Sequence, residues 1–138
     1  MARSFIAVER LALSRYIYAC MPSSTLTAAP DAFVVVFVTA PNADVATTIA
    51  RTLVSEKLAA CVNIVPGLRS IYSWQGKMYD EAEILCIVKT RQALFPALRD
   101  RVTALHPYDV PEIIALPISD GSAPYLAWLQ HETETPSP

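Results

Sequence analysis

The chain has 138 residues, of which 53% are hydrophobic and 17% are charged, and its formal net charge is −2. A hydrophobic share this large excludes a disordered chain, and the length suits one domain with a substantial core. The charges are scattered without a cluster of Lys and Arg, which excludes the basic surface of a nucleic-acid-binding protein. The sequence contains no apolar run long enough to span a bilayer, so we expect no membrane partner.

The first 30 residues differ from the rest of the chain in composition. They are basic, contain serine and are poor in acids, which is typical of an organelle transit peptide. A second interpretation places the true start of the protein at Met21. In either case residues 1–30 are a leader or disordered extension, followed by a single domain over residues 31–132 and a disordered tail over residues 133–138.

The cysteines indicate a reducing compartment. There are three of them, at unrelated spacing and without a CxxC motif, so a disulfide framework is not expected. We therefore expect the protein in the cytoplasm, or in an organelle if residues 1–30 are a transit peptide.

The first elements in chain order are a buried strand and an amphipathic helix. Residues 33–38 form an unbroken apolar, β-branched run, which is typical of a strand covered on both faces. Asn42 is a suitable N-cap, and apolar residues then recur at helical spacing as far as Leu58. This pattern predicts a helix over residues 43–59.

A long β-hairpin is predicted next. Residues 61–74 form a strand interrupted by a bulge at Pro66-Gly67, and residues 77–89 form the returning strand. Gln75-Gly76 supplies the tight reversal between them.

The last third of the chain predicts a second helix, a strand and a short helix. Apolar residues between Leu94 and Leu105 mark the second helix, residues 113–118 form a strand, and Pro124 opens the final helix. The order is therefore β-α-β-β-α-β followed by a helix. We predict an α+β, ferredoxin-like fold of the split βαβ type.

The lengths of these elements predict that the hairpin protrudes. Residues 61–74 span roughly 45 Å when extended, whereas a helix over residues 43–59 covers only roughly 25 Å. The far end of the hairpin carries a large apolar and aromatic surface. An exposed ribbon of this kind aggregates unless a partner covers it, so we predict self-association through Tyr72, Trp74 and Met78.

One short segment concentrates polar side chains between two prolines. Pro107 and Pro111 stiffen the backbone around His106, Tyr108 and Glu112, which suits a binding site. The alternative is a polar connector in which His106 caps the last carbonyl groups of the preceding helix.

Several motifs together resemble the CutA family of divalent-cation tolerance proteins. They are Val38-Thr39-Ala40-Pro41, Leu58-Ala59-Ala60-Cys61-Val62-Asn63-Ile64-Val65-Pro66-Gly67, Ser70-Ile71-Tyr72-Ser73-Trp74-Gln75-Gly76-Lys77, Val88-Lys89-Thr90, His106-Pro107-Tyr108-Asp109-Val110-Pro111-Glu112 and Tyr125-Leu126-Ala127-Trp128-Leu129. The resemblance covers residues 33–130. It implies a PII-like homotrimer of ferredoxin-like subunits, with a link to copper and other divalent cations through cysteine and histidine.

The resemblance also implies which residues bind. Some bacterial relatives carry a cysteine and a His-His pair where this chain has Val38 and Leu105-His106, so one strong ligand remains. We expect copper(II) or another divalent cation to bind weakly at His106, with Cys61 and Glu112 as weaker candidate ligands. A pocket formed by Lys89, Tyr108 and Glu112 is also expected, in which Lys89 pairs with Glu112.

The sequence contains no arrangement of nucleophile, base and orienting acid that supports catalysis, so we do not expect an enzyme. The predicted function is copper or divalent-cation binding in metal tolerance and the response to metal ions. The alternative is a PII-like trimeric sensor of a small anionic molecule in the cleft between subunits.

Overall fold

A computed structural model describes residues 32–135 of the chain. Residues 1–30 lie outside this range. They include the predicted leader and the alternative start at Met21. The predicted tail begins too early, because Thr133 is buried and its hydroxyl donates to the carbonyl oxygen of Leu129 at 2.8 Å. The Arg91 guanidinium also donates to this hydroxyl, at 2.9 Å.

The described residues form four strands and three α-helices in the predicted order. They are β1 (Phe33–Ala40), α1 (Ala43–Ser55), β2 (Cys61–Trp74), β3 (Lys77–Arg91), α2 (Phe95–Leu105), β4 (Ile113–Pro117) and α3 (Ala123–Glu132), with a 3-10 turn over Gln92–Leu94 before α2. All neighbouring strands are antiparallel, in the order β2-β3-β1-β4. This topology confirms the ferredoxin-like fold.

Helix α1 begins as predicted and ends four residues early. The side chain of Asn42 accepts from the backbone N–H of Val45 at 3.0 Å, which caps the N-terminus. At the other end Lys57 adopts a left-handed φ of 57°, and the N–H of Leu58 donates to Leu53 O at 2.9 Å. These are the bonds of a Schellman motif, in which an apolar residue just past the helix packs back onto it. Leu58 therefore continues the apolar pattern without continuing the helix.

The long hairpin protrudes from the sheet as predicted. Its register shifts between Val65 and Leu68, and Gly67 there has a φ of 86°. Gln75 and Gly76 both have positive φ, as the tight reversal requires. Because β1 pairs with β3 only over residues 84–91, residues 68–83 form a two-stranded ribbon with no third strand in the described chain. We call residues 68–83 the ribbon.

The two faces of the sheet differ in what covers them. Val34, Val36 and Val38 of β1 are buried against helices α1 and α2. The core between this face and the helices also contains Cys86 and Val88 of β3, Ala46, Ile49 and Leu53 of α1, and Leu98 and Val102 of α2. The opposite face, which we call the open face, carries Val35, Phe37, Val65, Leu85, Ile87, Ile114 and Leu116. On it Val65, Ile114 and Leu116 are 41%, 49% and 42% exposed, so much of this apolar surface is uncovered in a single chain.

Among the described residues, Cys61 and Cys86 are free cysteines. Cys86 lies in the core, where burial raises the pKa of its thiol and suppresses its ionisation. No helix within residues 32–135 is long and apolar enough to cross a membrane.

Candidate functional site

The His106 side chain connects the segment after α2 to strand β1 through a hydrogen bond. Because Pro107 follows, His106 leaves the helical conformation with φ −81° and ψ 137°. Its Nε2 lies 2.7 Å from the carbonyl oxygen of Thr39, and its Nδ1 accepts from the backbone N–H of Tyr108 at 3.1 Å. A carbonyl oxygen can only accept and an amide N–H can only donate, so the ring is neutral with its proton on Nε2.

This arrangement bears directly on the prediction that His106 binds a metal. A metal ion at Nδ1 would displace the Tyr108 N–H, and an ion at Nε2 would displace the Thr39 carbonyl. The ring is 7% exposed, so either exchange leaves a buried backbone group without its hydrogen bond. The observed contacts make His106 a residue that positions Tyr108. His106 is the C-cap residue of α2, where its backbone N–H donates to Val102 O at 2.9 Å, but its side chain bonds Thr39 of β1 and not the last carbonyl groups of the helix.

Tyr108 connects His106 to a buried carboxylate. Its ring packs against the His106 ring, with centroids 4.7 Å apart, and its hydroxyl donates to Glu83 Oε1 at 3.1 Å. Glu83 is only 3% exposed. Neither Glu83 nor Thr39 was identified from the sequence. The available signal was that Glu83 is the acid directly before the apolar run 84–88, but only the strand register places it opposite the His-Pro-Tyr segment.

A groove of about 570 Å³ lies where the ribbon leaves the sheet. We call it the corner groove. It is lined by Thr39, Leu68, Arg69, Ser70, Ile71, Tyr72, Glu83, Leu85, Val110, Pro111 and Glu112. The segment after α2 thus forms one wall of the groove and the ribbon forms the other.

The charges of the corner groove are mainly negative. Glu83 and Glu112 contribute two carboxylates, and Arg69 is the one basic residue of the lining. The Arg69 guanidinium already donates to Asp80, with Nε 2.6 Å from Oδ1, and this hydrogen bond holds the pKa of Asp80 below its usual range. The lining of the groove thus carries two acidic side chains and one basic side chain.

Lys89 does not join this groove, and the predicted Lys89–Glu112 pair is wrong within one chain. Its ammonium donates to Asn63 Oδ1 and to the carbonyl oxygen of Ile87 at 3.3 Å. Lys89 lies opposite Val35, whereas Glu112 precedes the residue opposite Val38. Glu112 is therefore level with Thr39, four residues from Val35, and the separation along the sheet is roughly 13 Å at about 3.3 Å per residue. The structure thus separates Lys89 from Tyr108 and Glu112.

Cys61 is also remote from His106. It lies directly opposite Lys89 in the hairpin, and it is near enough to Tyr125 of α3 to affect its pKa. Burial, and secondarily the nearby Cys61 thiol, raise the pKa of Tyr125. Within residues 32–135 no three His, Cys, Asp or Glu side chains are grouped so that they could hold a metal ion. The predicted ligands His106, Cys61 and Glu112 are therefore not brought together in one chain, because Cys61 lies with Lys89 at the other end of the open face.

The three residues predicted to mediate self-association all lie on the ribbon. Tyr72 stacks on Tyr79 with ring centroids 5.2 Å apart, and its hydroxyl donates to Glu81 at 2.8 Å. The register places Trp74 on the same face as Tyr72 and Met78 on the other. Met78 is 76% exposed, so the ribbon presents apolar surface on both sides.

Comparison with known families identifies the chain's relatives. The sequence model described as "CutA1 divalent ion tolerance protein" matches residues 34–132. The chain belongs to the CutA1 family. The matched residues include the His-Pro-Tyr segment, the ribbon and all of the corner groove, so the site described above lies wholly within the family domain.

Individual relatives agree with this assignment. The divalent-cation tolerance protein CutA of Thermus thermophilus is 59% identical over 99 residues, covering 72% of this chain and 96% of that protein. The chloroplastic protein CutA 1 of Oryza sativa is 53% identical, covering 80% of this chain and 61% of its own length. Human protein CutA is 48% identical, covering 78% of this chain and 60% of its own length. The chain thus spans less than two thirds of the plant and human relatives.

Solved structures confirm the fold. The divalent cation tolerance protein of Thermus thermophilus superposes with a TM-score of 0.73 at 57% identity, over 74% of this chain and 99% of that one. CutA1 from Oryza sativa gives a TM-score of 0.73 at 52% identity, over 75% of this chain and 94% of that one.

The first prediction concerns how much the hydrogen bonds of His106 contribute to the stability of the fold. Replacing His106 by Ala leaves the Thr39 carbonyl and the Tyr108 N–H without partners, and each loss costs about 1–3 kcal/mol. We expect the free energy of unfolding to fall by about 2–4 kcal/mol, measured by urea denaturation at one fixed protein concentration.

The matched control is His131→Ala, because the His131 side chain is 80% exposed and contacts only its neighbour Glu132. It should change the free energy of unfolding by less than about 0.5 kcal/mol. If both variants are equally stable, the bonds of His106 do not hold the segment to β1.

Proposed function

We propose that this chain acts as a homotrimer that binds copper(II) or another divalent cation weakly and so takes part in metal tolerance and the response to metal ions. Membership of the CutA1 family supports the link to divalent cations. The observation that carries the proposal is the pair of carboxylates, Glu83 and Glu112, in the corner groove.

The uncovered apolar surfaces support the trimer. One chain leaves the open face without a helix over most of its area. It also leaves one edge of β3, over residues 77–83 of the ribbon, without a strand partner in the described chain. The outer strands β2 and β4 are different sheet edges. Contacts between unlike edges are head-to-tail, and they close into a ring when the rotation between subunits permits it. A three-membered ring then covers Tyr72, Trp74 and Met78 with neighbouring copies.

The donor set of the groove fits a divalent cation. Glu83 accepts from the Tyr108 hydroxyl through Oε1, and carboxylate oxygens are the ligands that hard divalent cations prefer. Glu112 is exposed at the rim and adds a second carboxylate. In this proposal His106 acts through Tyr108 and orients Glu83, in place of the direct ligation predicted from the sequence. With oxygen ligands and no thiolate, binding is weak and poorly selective.

We further propose that the protein is a binding protein and not an enzyme, since its family is defined by cation tolerance. The proposed compartment is the cytoplasm. The chloroplastic descriptions of the relatives from Oryza sativa and Arabidopsis thaliana support an organelle instead if residues 1–30 are a transit peptide. The carboxylates of the corner groove disfavour the alternative of an anion sensor there.

The trimer proposal predicts the mass of the protein in solution. Three copies of the 15.1 kDa chain give about 45 kDa. Light scattering coupled to gel filtration should find this mass at micromolar concentration and after dilution, because the uncovered apolar area contributes about 25 cal/mol per Å² when it is buried. A monodisperse monomer would contradict the proposal.

The metal proposal predicts which substitution weakens copper(II) binding in a calorimetric titration. Glu112→Gln should weaken it by about tenfold or more, because a neutral amide replaces a charged ligand. Glu132→Gln, which removes an acid from α3, is the matched control and should bind like the parent. Cys61→Ser should also bind like the parent, because Cys61 lies away from the groove.

The pH dependence separates carboxylate from histidine ligands. Carboxylates lose protons near pH 4.3 and imidazole near pH 6.5, so binding by glutamates should persist when the pH is lowered from 7 to about 5.5. If binding is lost over that interval, or if Cys61→Ser abolishes it while Glu112→Gln does not, the assignment to the corner groove is wrong.

A further inference from the structure

Lys89 is a buried basic residue on the open face of the described chain. Lys89 is 8% exposed, and its two hydrogen-bond acceptors, Asn63 Oδ1 and the Ile87 carbonyl oxygen, are both neutral. No carboxylate within residues 32–135 forms an ion pair with it. Buried charges are normally paired, because hydrogen bonds to neutral acceptors offset only part of the free energy needed to remove an ammonium from water.

The surroundings of Lys89 offer a second donor to an incoming anion. Asn63 turns its amide oxygen to the ammonium, and its Nδ2 hydrogens have no acceptor among the described residues. The two residues lie on adjacent strands at the exposed edge of the open face, next to Cys61. An ammonium and a carboxamide N–H beside each other match the two oxygens of a carboxylate.

We propose that Lys89 and Asn63 form a carboxylate-binding site on the open face, separate from the cation site in the corner groove. The carboxylate comes either from a small molecule or from a second copy of the chain, since both offer the same chemistry. The proposal does not rest on cation binding. Lys89 and Glu112 are at different ends of the open face, so each site can fail its own test independently.

The test is thermal unfolding of the full chain in sodium succinate against sodium chloride at equal ionic strength. If a small molecule is the source, succinate should raise the unfolding midpoint of the parent by about 2–4 °C, because it binds only the folded state. Lys89→Met, which keeps the length of the side chain and removes the charge, should abolish the rise. Lys57→Met, which removes an equal charge outside the open face, should retain it.

If a second copy supplies the carboxylate, succinate has no effect, and Lys89→Met instead lowers the mass measured by light scattering on dilution while Lys57→Met does not. A third variant gives a reading even if Lys89→Met fails to fold. Asn63→Asp places a carboxylate beside the ammonium within the same chain, so it should raise the unfolding midpoint in chloride by about 2–4 °C and remove any response to succinate.

The proposal is overturned if succinate has no effect specific to Lys89 and dilution affects Lys89→Met and Lys57→Met alike. It is also overturned if Asn63→Asp fails to raise the midpoint in chloride, because the ammonium then has no unmet demand for a carboxylate.

Discussion

Two neighbouring strands of the sheet differ in length, and the corner groove forms where the shorter strand ends. Strand β3 has 15 residues and its central neighbour β1 has 8, so β3 continues for half its length with β2 as its only partner in the described chain. Where β1 stops, the His106–Tyr108 segment turns in and bonds both to Thr39 and to the continuing strand at Glu83. The corner groove and the ribbon both follow from this one difference in length.

The open face separates charge of opposite sign along its length. Glu83 and Glu112 lie at the ribbon end, and Lys89 with Asn63 lies at the end toward α3. Between them the surface is apolar, with Phe37 and Ile87 in adjacent strands. A face of this kind suits an interface between subunits, because apolar area supplies the free energy of association and the charged ends fix the orientation of the neighbours.

Much of the fold could be predicted from the sequence, because hydrophobic period and turn residues act locally. The site could not, because it depends on strand register. Leu58 matched the helical pattern, but the left-handed Lys57 ended the helix before it. Lys89 and Glu112 are complementary in charge, but the pairing of β1 with β3 and β4 keeps them apart. Glu83 is marked in the sequence only as the acid directly before the apolar run 84–88, and it is the strand register that places it within reach of Tyr108.

In the proposed trimer, neighbouring copies cover the ribbon and the open face. Hydrogen–deuterium exchange of the full chain, resolved to peptides, tests this arrangement most directly. The edge strand β4 and the ribbon peptides 68–83 should exchange nearly as slowly as β1, although a single chain leaves them at the sheet edge or beyond it. Rapid exchange of both segments alongside a protected β1 would contradict the account, because it would mean that these surfaces are open to water in the native protein.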